Sequence, residues 1–153
     1  MAERVSRIDE DKILEGILSD PDLQEKIIEL NQKQMQAGKG ADGASLPRYD
    51  QDLYFKTTKA AKAYEAWKAH ISPNPGKAPG VMDFYIDGTY QSTIKIVNAA
   101  KAFTITTDSP IAKSIDDKTN NEALGLNDDS LDEIILIILD IFREKVYEQM
   151  MAA

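Results

Sequence analysis

The residues able to do chemistry in this chain are few and scattered. His70 is the only histidine and there is no cysteine. Zinc sites need three or four nitrogen, sulfur or carboxylate ligands at short spacing, and His70 has no histidine one turn away. Without thiols the chain has no disulfide framework and no thiolate nucleophile, which fits assembly in a reducing cytoplasm. A serine nucleophile on a sharp elbow would need Gly-x-Ser-x-Gly, and that pattern does not occur. His70 therefore reads as a helix-terminal or solvent-exposed histidine.

"GKGADGAS" (38–45) has the glycines of a phosphate loop, but such a loop ends Gly-Lys-Ser/Thr and passes straight into a helix. Here Lys39 is followed by Gly40, and the segment runs into Leu46-Pro47. Acidic clusters occur at Asp116-Asp117 and Asp128-Asp129. A calcium loop starting at Asp116 would place Lys118 at a ligand position and lacks the required glycine and final glutamate. Both clusters read as solvated or helix-terminal charges. No cofactor or metal is expected, and the chain reads as a non-enzyme.

"MDFYIDGTYQSTIKIV" (82–97) interleaves hydroxyls with aromatic and aliphatic residues. Asp87-Gly88 between alternating runs predicts a β-hairpin. One face, with Phe84, Ile86, Ile94 and Ile96, is expected under the C-terminal helix. Tyr85, Tyr90, Gln91 and Thr93 are candidate contacts to a neighbouring molecule, and Gly88 is a candidate structural turn.

These segments need a scaffold, and 153 residues at 42% hydrophobic suit one globular domain with a real core. The longest apolar run, "IILIIL" (134–139), is far short of the roughly 20 residues that span a bilayer, so a soluble protein is expected with no membrane partner. Net charge is −8, concentrated in residues 108–153, where eleven acidic side chains face four basic ones. Such a chain is a poor autonomous DNA binder, because non-specific affinity comes from neutralising phosphates. The basic stretch Lys56, Lys59, Lys62, Lys68 and Lys77 reads as a solvated helix surface.

Helical signals cover Asp9 to Leu18, then a second helix begins with Asp20 as cap and Pro21 in its first turn. Leu23, Ile27, Leu30 and Met35 line one side of it, and Gly38 stops it. Residues 1–20 form an N-terminal arm or short helix. Residues 38–49 and 72–80 read as long loops, the first offering Gly38, Lys39, Gly40 and Gly43 as a candidate assembly loop. Between them, Ala60, Tyr64, Trp67 and Ile71 recur at helical spacing over Thr58–Ile71. "AFTITT" (102–107) predicts another strand after a turn at 98–101. The expected class is α+β: a small antiparallel sheet of three to four strands packed against an N-terminal helix and a long apolar C-terminal helix.

That last helix has Ser130 and Glu133 spaced as a capping box and an acidic first turn. Residues 134–139 are apolar on every side, which predicts enclosure on every side. Either the helix is central to the monomer, or its remaining face meets a neighbour, with Ile135, Ile138 and Phe142 as candidate contacts.

The order of parts resembles the small neck and tail-completion proteins of tailed bacteriophages. "GADGASLPRY" (40–49) is similar to that family's Asp/Asn-Gly pair ahead of an apolar-Pro and an aromatic. "GTYQSTI" (88–94) is similar to its Gly-x-Leu-x-x-Ser-Ile, with Tyr90 for the Leu and Thr93 for the Ser. "LGLNDDSLDEI" (124–134) is similar to a Leu-Gly-Leu turn before an acidic helix start. The chain departs from the pattern at Asp87, where Thr is usual, and lacks a Tyr-Ala-x-x-His-x-x-Gly segment. The resemblance implies a non-catalytic virion protein assembled in the host cytoplasm. It would act as a homo-oligomeric ring in contact with portal, connector or tail proteins, with DNA at most passing through a channel. It also allows Gly88 to mark the end of a short helix instead of a hairpin turn. A different reading from the residues alone is a small cytoplasmic binding or regulatory module that dimerises through its C-terminal helix.

Overall fold

Asp9 and Asp20 set where the first two helices begin. In the computed structural model, described over residues 8–152, the Asp9 carboxylate accepts from Lys12 N at 3.1 Å to start α1 (Glu10–Leu18). The Asp20 carboxylate accepts from Asp22 N at 2.8 Å to start α2 (Pro21–Gln36), with Pro21 in the first turn. These bonds satisfy amide groups that a helix start leaves unpaired. Leu23, Ile27, Leu30 and Met35 are all buried. Gly38 then takes the left-handed conformation (φ 72°), and an added Cβ would lie 2.8 Å from Val81 Cγ1. Only glycine ends the helix there without a clash.

A short 3-10 turn (Tyr49–Gln51) leads to α3 (Thr58–Ile71), capped by the Thr57 hydroxyl, which accepts from Ala60 N. One helical turn, α4 (Thr89–Ser92), precedes strands β1 (Ile94–Ala99) and β2 (Ala102–Thr107). The strands pair antiparallel with Ile96 opposite Ile105 and Ala99 opposite Ala102, leaving Ala100-Lys101 as the turn. α5 (Ala112–Thr119) and α6 (Asp128–Ala152) complete the chain. The class is α+β, with six α-helices and one two-stranded sheet among the described residues. None of the described helices is long and apolar enough to cross a membrane.

Three expectations are corrected. The sheet has two strands instead of three to four, because the Asp87-Gly88 hairpin does not form. Gly88 alone has positive φ (84°), and the Asp87 carboxylate accepts from Thr89 N at 2.9 Å, so the pair caps α4. Upstream, Phe84 at φ 52° breaks the extended path, and Val81 keeps only an isolated bridge to Arg48. Ile86 is accordingly exposed.

The C-terminal helix is also not enclosed. Ile134 is its one fully buried residue, while Ile137, Ile138, Ile141, Phe142 and Val146 are half-buried against α1 and α2. Leu131, Ile135, Leu136 and Leu139 face outward. A central position in the monomer is thereby overturned. Nor do Ser130 and Glu133 form a capping box: the cap is Asn127, whose side-chain oxygen accepts from Ser130 N at 3.0 Å.

The core has three clusters. Ile13, Ile17, Leu18, Leu23, Ile27, Leu30 and Ile134 form the first, between α1, α2 and α6. Met35, Leu46, Val81, Tyr90, Ile94 and Ile115 form most of the second, and Tyr49, Ala61 and Met82 the third. Ile105 packs against the first two and Phe84 against the last two, so the clusters are continuous.

Candidate assembly surfaces and an aromatic cleft

Lys68 and Ala61 are seven residues apart on α3 and share its buried side. The Lys68 ammonium, 5% exposed, donates to Asp83 Oδ1, and Asp83 is 1% exposed. The carboxylate also accepts from Asn74 Nδ2 (3.1 Å) and from Tyr85 N (3.2 Å). A buried charge needs this kind of complete partnering. The pair corrects the reading of Lys68 as a solvated surface charge. Lys77 departs from that reading too: half-buried, it donates to the Val81 carbonyl. Desolvation pushes the Lys77 ammonium down from its usual value, with Asp83 opposing. Both ammonium groups lie over the Tyr49 ring, at 5.8 and 5.7 Å from its centroid. Burial, then the Asp83 charge, pushes the Tyr49 hydroxyl well above its ordinary range.

Lys68 of this pair stands in the wall of a cleft of about 560 Å³, between the 49–55 segment, α3, residues 82–90 and α5. Its aromatic lining interlocks: Tyr49 lies 5.3 Å from Tyr64, and Tyr64 lies 5.2 Å from Phe55. Such edge and tilted packing adds about 0.5–1.5 kcal/mol per pair beyond the area buried. At the mouth, Lys118 donates to Asp52 at 2.7 Å. Burial opposes ionisation of Asp52, but this bond and the Tyr54 N–H outweigh it and lower the carboxyl from its usual value. Tyr90, 4% exposed, forms part of the inner wall, and among the described residues its hydroxyl has no hydrogen-bond partner.

Of the candidate contact residues on 85–93, Tyr85 reaches the cleft lining and Thr93 is half-buried, its hydroxyl 2.6 Å from that of Thr107. Tyr90 and Gln91 are buried within the chain, Tyr90 in the inner wall of the cleft, so neither lies on the outer surface. Gln91 is buried because α4 turns it toward α2 and Asp83, and its Nε2 donates to the Asp83 carbonyl at 3.4 Å. Ile138 and Phe142 serve the intramolecular core first, while Ile135 is exposed.

The expected assembly loop is folded onto its own chain. Gly38 and Gly40 are buried, with Leu46 N donating to the Gly38 carbonyl (2.8 Å) and Gly40 N to Ala44 O (2.9 Å). Ala41 N donates to Glu122 O at 2.8 Å, which fastens the loop to the segment ahead of α6. Lys39 and Gly43 remain exposed. His70 is exposed in the last turn of α3 and lies outside the cleft.

The amide side chains of "LNQKQMQ" on α2 were not legible as functional. Asn31 Nδ2 donates to the carbonyls of Ala123 (3.2 Å) and Gly125 (2.9 Å). Gln34 donates to Gly125 O (3.0 Å) and accepts from Asn127 N (2.8 Å). Gln32 donates to Gln91 O at 3.0 Å. One helix thus holds both the turn before α6 and the turn before β1. The run of amides in an otherwise amphipathic helix was the available signal.

Two helix faces are left uncovered. On α6, Leu136 is 64% exposed, and Leu139, Tyr147, Met150 and Met151 are exposed along the same side. On α3, Ala60, Trp67 and Ile71 of the helical stripe are exposed, Trp67 by 50%. Among the described residues, no group of three or more His, Asp or Glu side chains is placed to hold a metal ion. The two faces offer apolar surface for association. Comparison of the chain with protein-family models, curated proteins and solved structures returned no match.

Proposed function

We propose that this protein is a non-catalytic virion subunit of a bacteriophage neck or tail-completion ring. It works by homo-oligomeric assembly and by contacts to portal, connector or tail proteins. The observation that carries the assembly reading is the uncovered apolar stripe of α6, from Leu136 to Met151. At about 1.5 Å per residue, the span from Leu136 to Met151 extends about 22 Å. Apolar side chains exposed on one side over that span, interrupted by the Asp140–Arg143 pair, mark an interaction surface. The phage assignment is supported by the three sequence segments that resemble that family, at 40–49, 88–94 and 124–134. The acidic surface of α6 suits a channel through which DNA slides, since like charges repel phosphates. That idea fails if the residues lining a ring lumen prove basic.

The aromatic cleft favours a second reading, a small binding module that dimerises through α6. Multi-angle light scattering with electron microscopy of the purified protein separates the two. Closed rings of six to twelve chains support the ring subunit. A compact dimer at every concentration supports the binding module, and a persistent monomer overturns assembly altogether.

A further inference from the structure

The two uncovered faces are complementary. On α3, Trp67 and Ile71 form the centre of the exposed stripe, and Lys59 and Lys62 are exposed on the same helix. Among the described residues neither lysine forms an ion pair, so both charges are free to meet a partner. On α6, Leu136 and Leu139 are flanked at helical spacing by Asp132 and Asp140. α6 as a whole carries seven acidic and two basic side chains. One of the two cations, Arg143, is 3.7 Å from Asp140.

Packing α6 against α6 would bring two acidic rows together, which opposes a symmetric contact between identical stripes. Packing α6 against α3 sets acid beside base and places a half-exposed tryptophan, the side chain type most enriched at binding hot spots, at the centre. The two faces also sit on separate parts of the fold. α6 rests on the cluster of α1 and α2, whereas α3 contributes Ala61 to the cluster of Tyr49 and Met82. A contact between different patches on identical subunits is head to tail, and it closes into a ring or runs on as a filament.

The structure assigns the subunit contact: we infer that the Trp67–Ile71 face of α3 in one copy docks on the Leu136–Leu139 region of α6 in the next. This rests on the assembly reading above and names the surfaces that meet.

The test uses two full-length variants, Trp67→Lys and the double variant Leu136→Lys/Leu139→Lys, with circular dichroism confirming that each is folded. Ile71→Lys and Ile135→Lys replace any variant that does not fold. Light scattering is expected to give wild-type protein larger than its 17.0 kDa chain, and each variant alone as a monomer. An equimolar mixture is expected to double the monomer mass and go no further, because one intact α6 meets one intact α3. If Trp67→Lys self-associates like wild type, the head-to-tail contact is overturned while assembly through α6 survives. A mixture that stays monomeric also overturns it. Wild-type protein that is monomeric at all concentrations overturns both this contact and the assembly reading.

Discussion

The Lys68 ammonium and the Asp83 carboxylate are a fully buried ion pair joining α3 to the segment ahead of α4. Asn74 completes the pair from the loop between them. Removing one partner strands the other charge away from water, at a cost of about 3–5 kcal/mol. Asp83→Asn is therefore expected to lower unfolding free energy by about that amount in urea titration. Lys68→Met/Asp83→Asn should lose clearly less than the two single variants together. Single losses below about 1 kcal/mol would show that the pair is not shielded from solvent.

Tyr90 gives the opposite kind of result. Its buried hydroxyl lacks a partner among the described residues, so its desolvation is uncompensated. Tyr90→Phe is expected to be neutral or to stabilise by up to about 1 kcal/mol. Burial, with Asp116 adding to it, pushes this hydroxyl from 10.0 up to about 12. The folded state thus holds the proton more tightly than the unfolded chain. The resulting stability is complete below pH 10 and is lost as pH rises toward 12. Thermal melts between pH 9 and about 11.5 should show a shallower alkaline decline for Tyr90→Phe than for wild type. Parallel curves would mean that Tyr90 does not titrate in that window.

Asn31 donates to two carbonyls of the turn that leads into α6. Asn31→Asp removes the donors and sets a carboxylate against both oxygens, and a loss of more than about 3 kcal/mol is expected. Asn31→Ala should lose less, about 1–3 kcal/mol. Equal melting temperatures for the two variants would contradict this ordering.

Two glycines should respond with opposite signs. Gly38 has φ 72° and no room for a Cβ beside Val81, so Gly38→Ala is expected to destabilise by more than about 1 kcal/mol. Gly16 lies within α1 with nothing inside 4 Å of an added Cβ. Gly16→Ala should stabilise by about 0.5–1 kcal/mol. Chemical denaturation of both variants checks the pair of signs.

α1, α2, α3 and α6 were legible because their signals are local. Asp20-Pro21, Gly38 and the period of Leu23, Ile27 and Leu30 specify α2, and the expected bounds of α3 and β2 coincide with those observed. What failed depends on distant partners. Asp-Gly at 87–88 is compatible with a hairpin or a helix cap, and the choice follows from Asp83 being drawn to Lys68 on another element. The stripe of α3 was visible at its spacing, but no spacing tells whether a neighbour covers Trp67. Likewise the six apolar residues 134–139 report a demand for burial, and only the packing of α1 and α2 shows which half is met within one chain.

The first cluster joins residues 13–30 to Ile134, with nothing from the hundred residues between them fully buried in it. During synthesis, then, Ile96, Phe103 and Ile105 emerge in time to pack against part of the α1 and α2 surface, and the face taken by Ile134 waits for α6. At about 5–20 residues per second, that interval is on the order of ten seconds. The earliest part of the fold to be made is among the last to be finished, and until then a nascent chain presents the same apolar surface that its own later helix will claim.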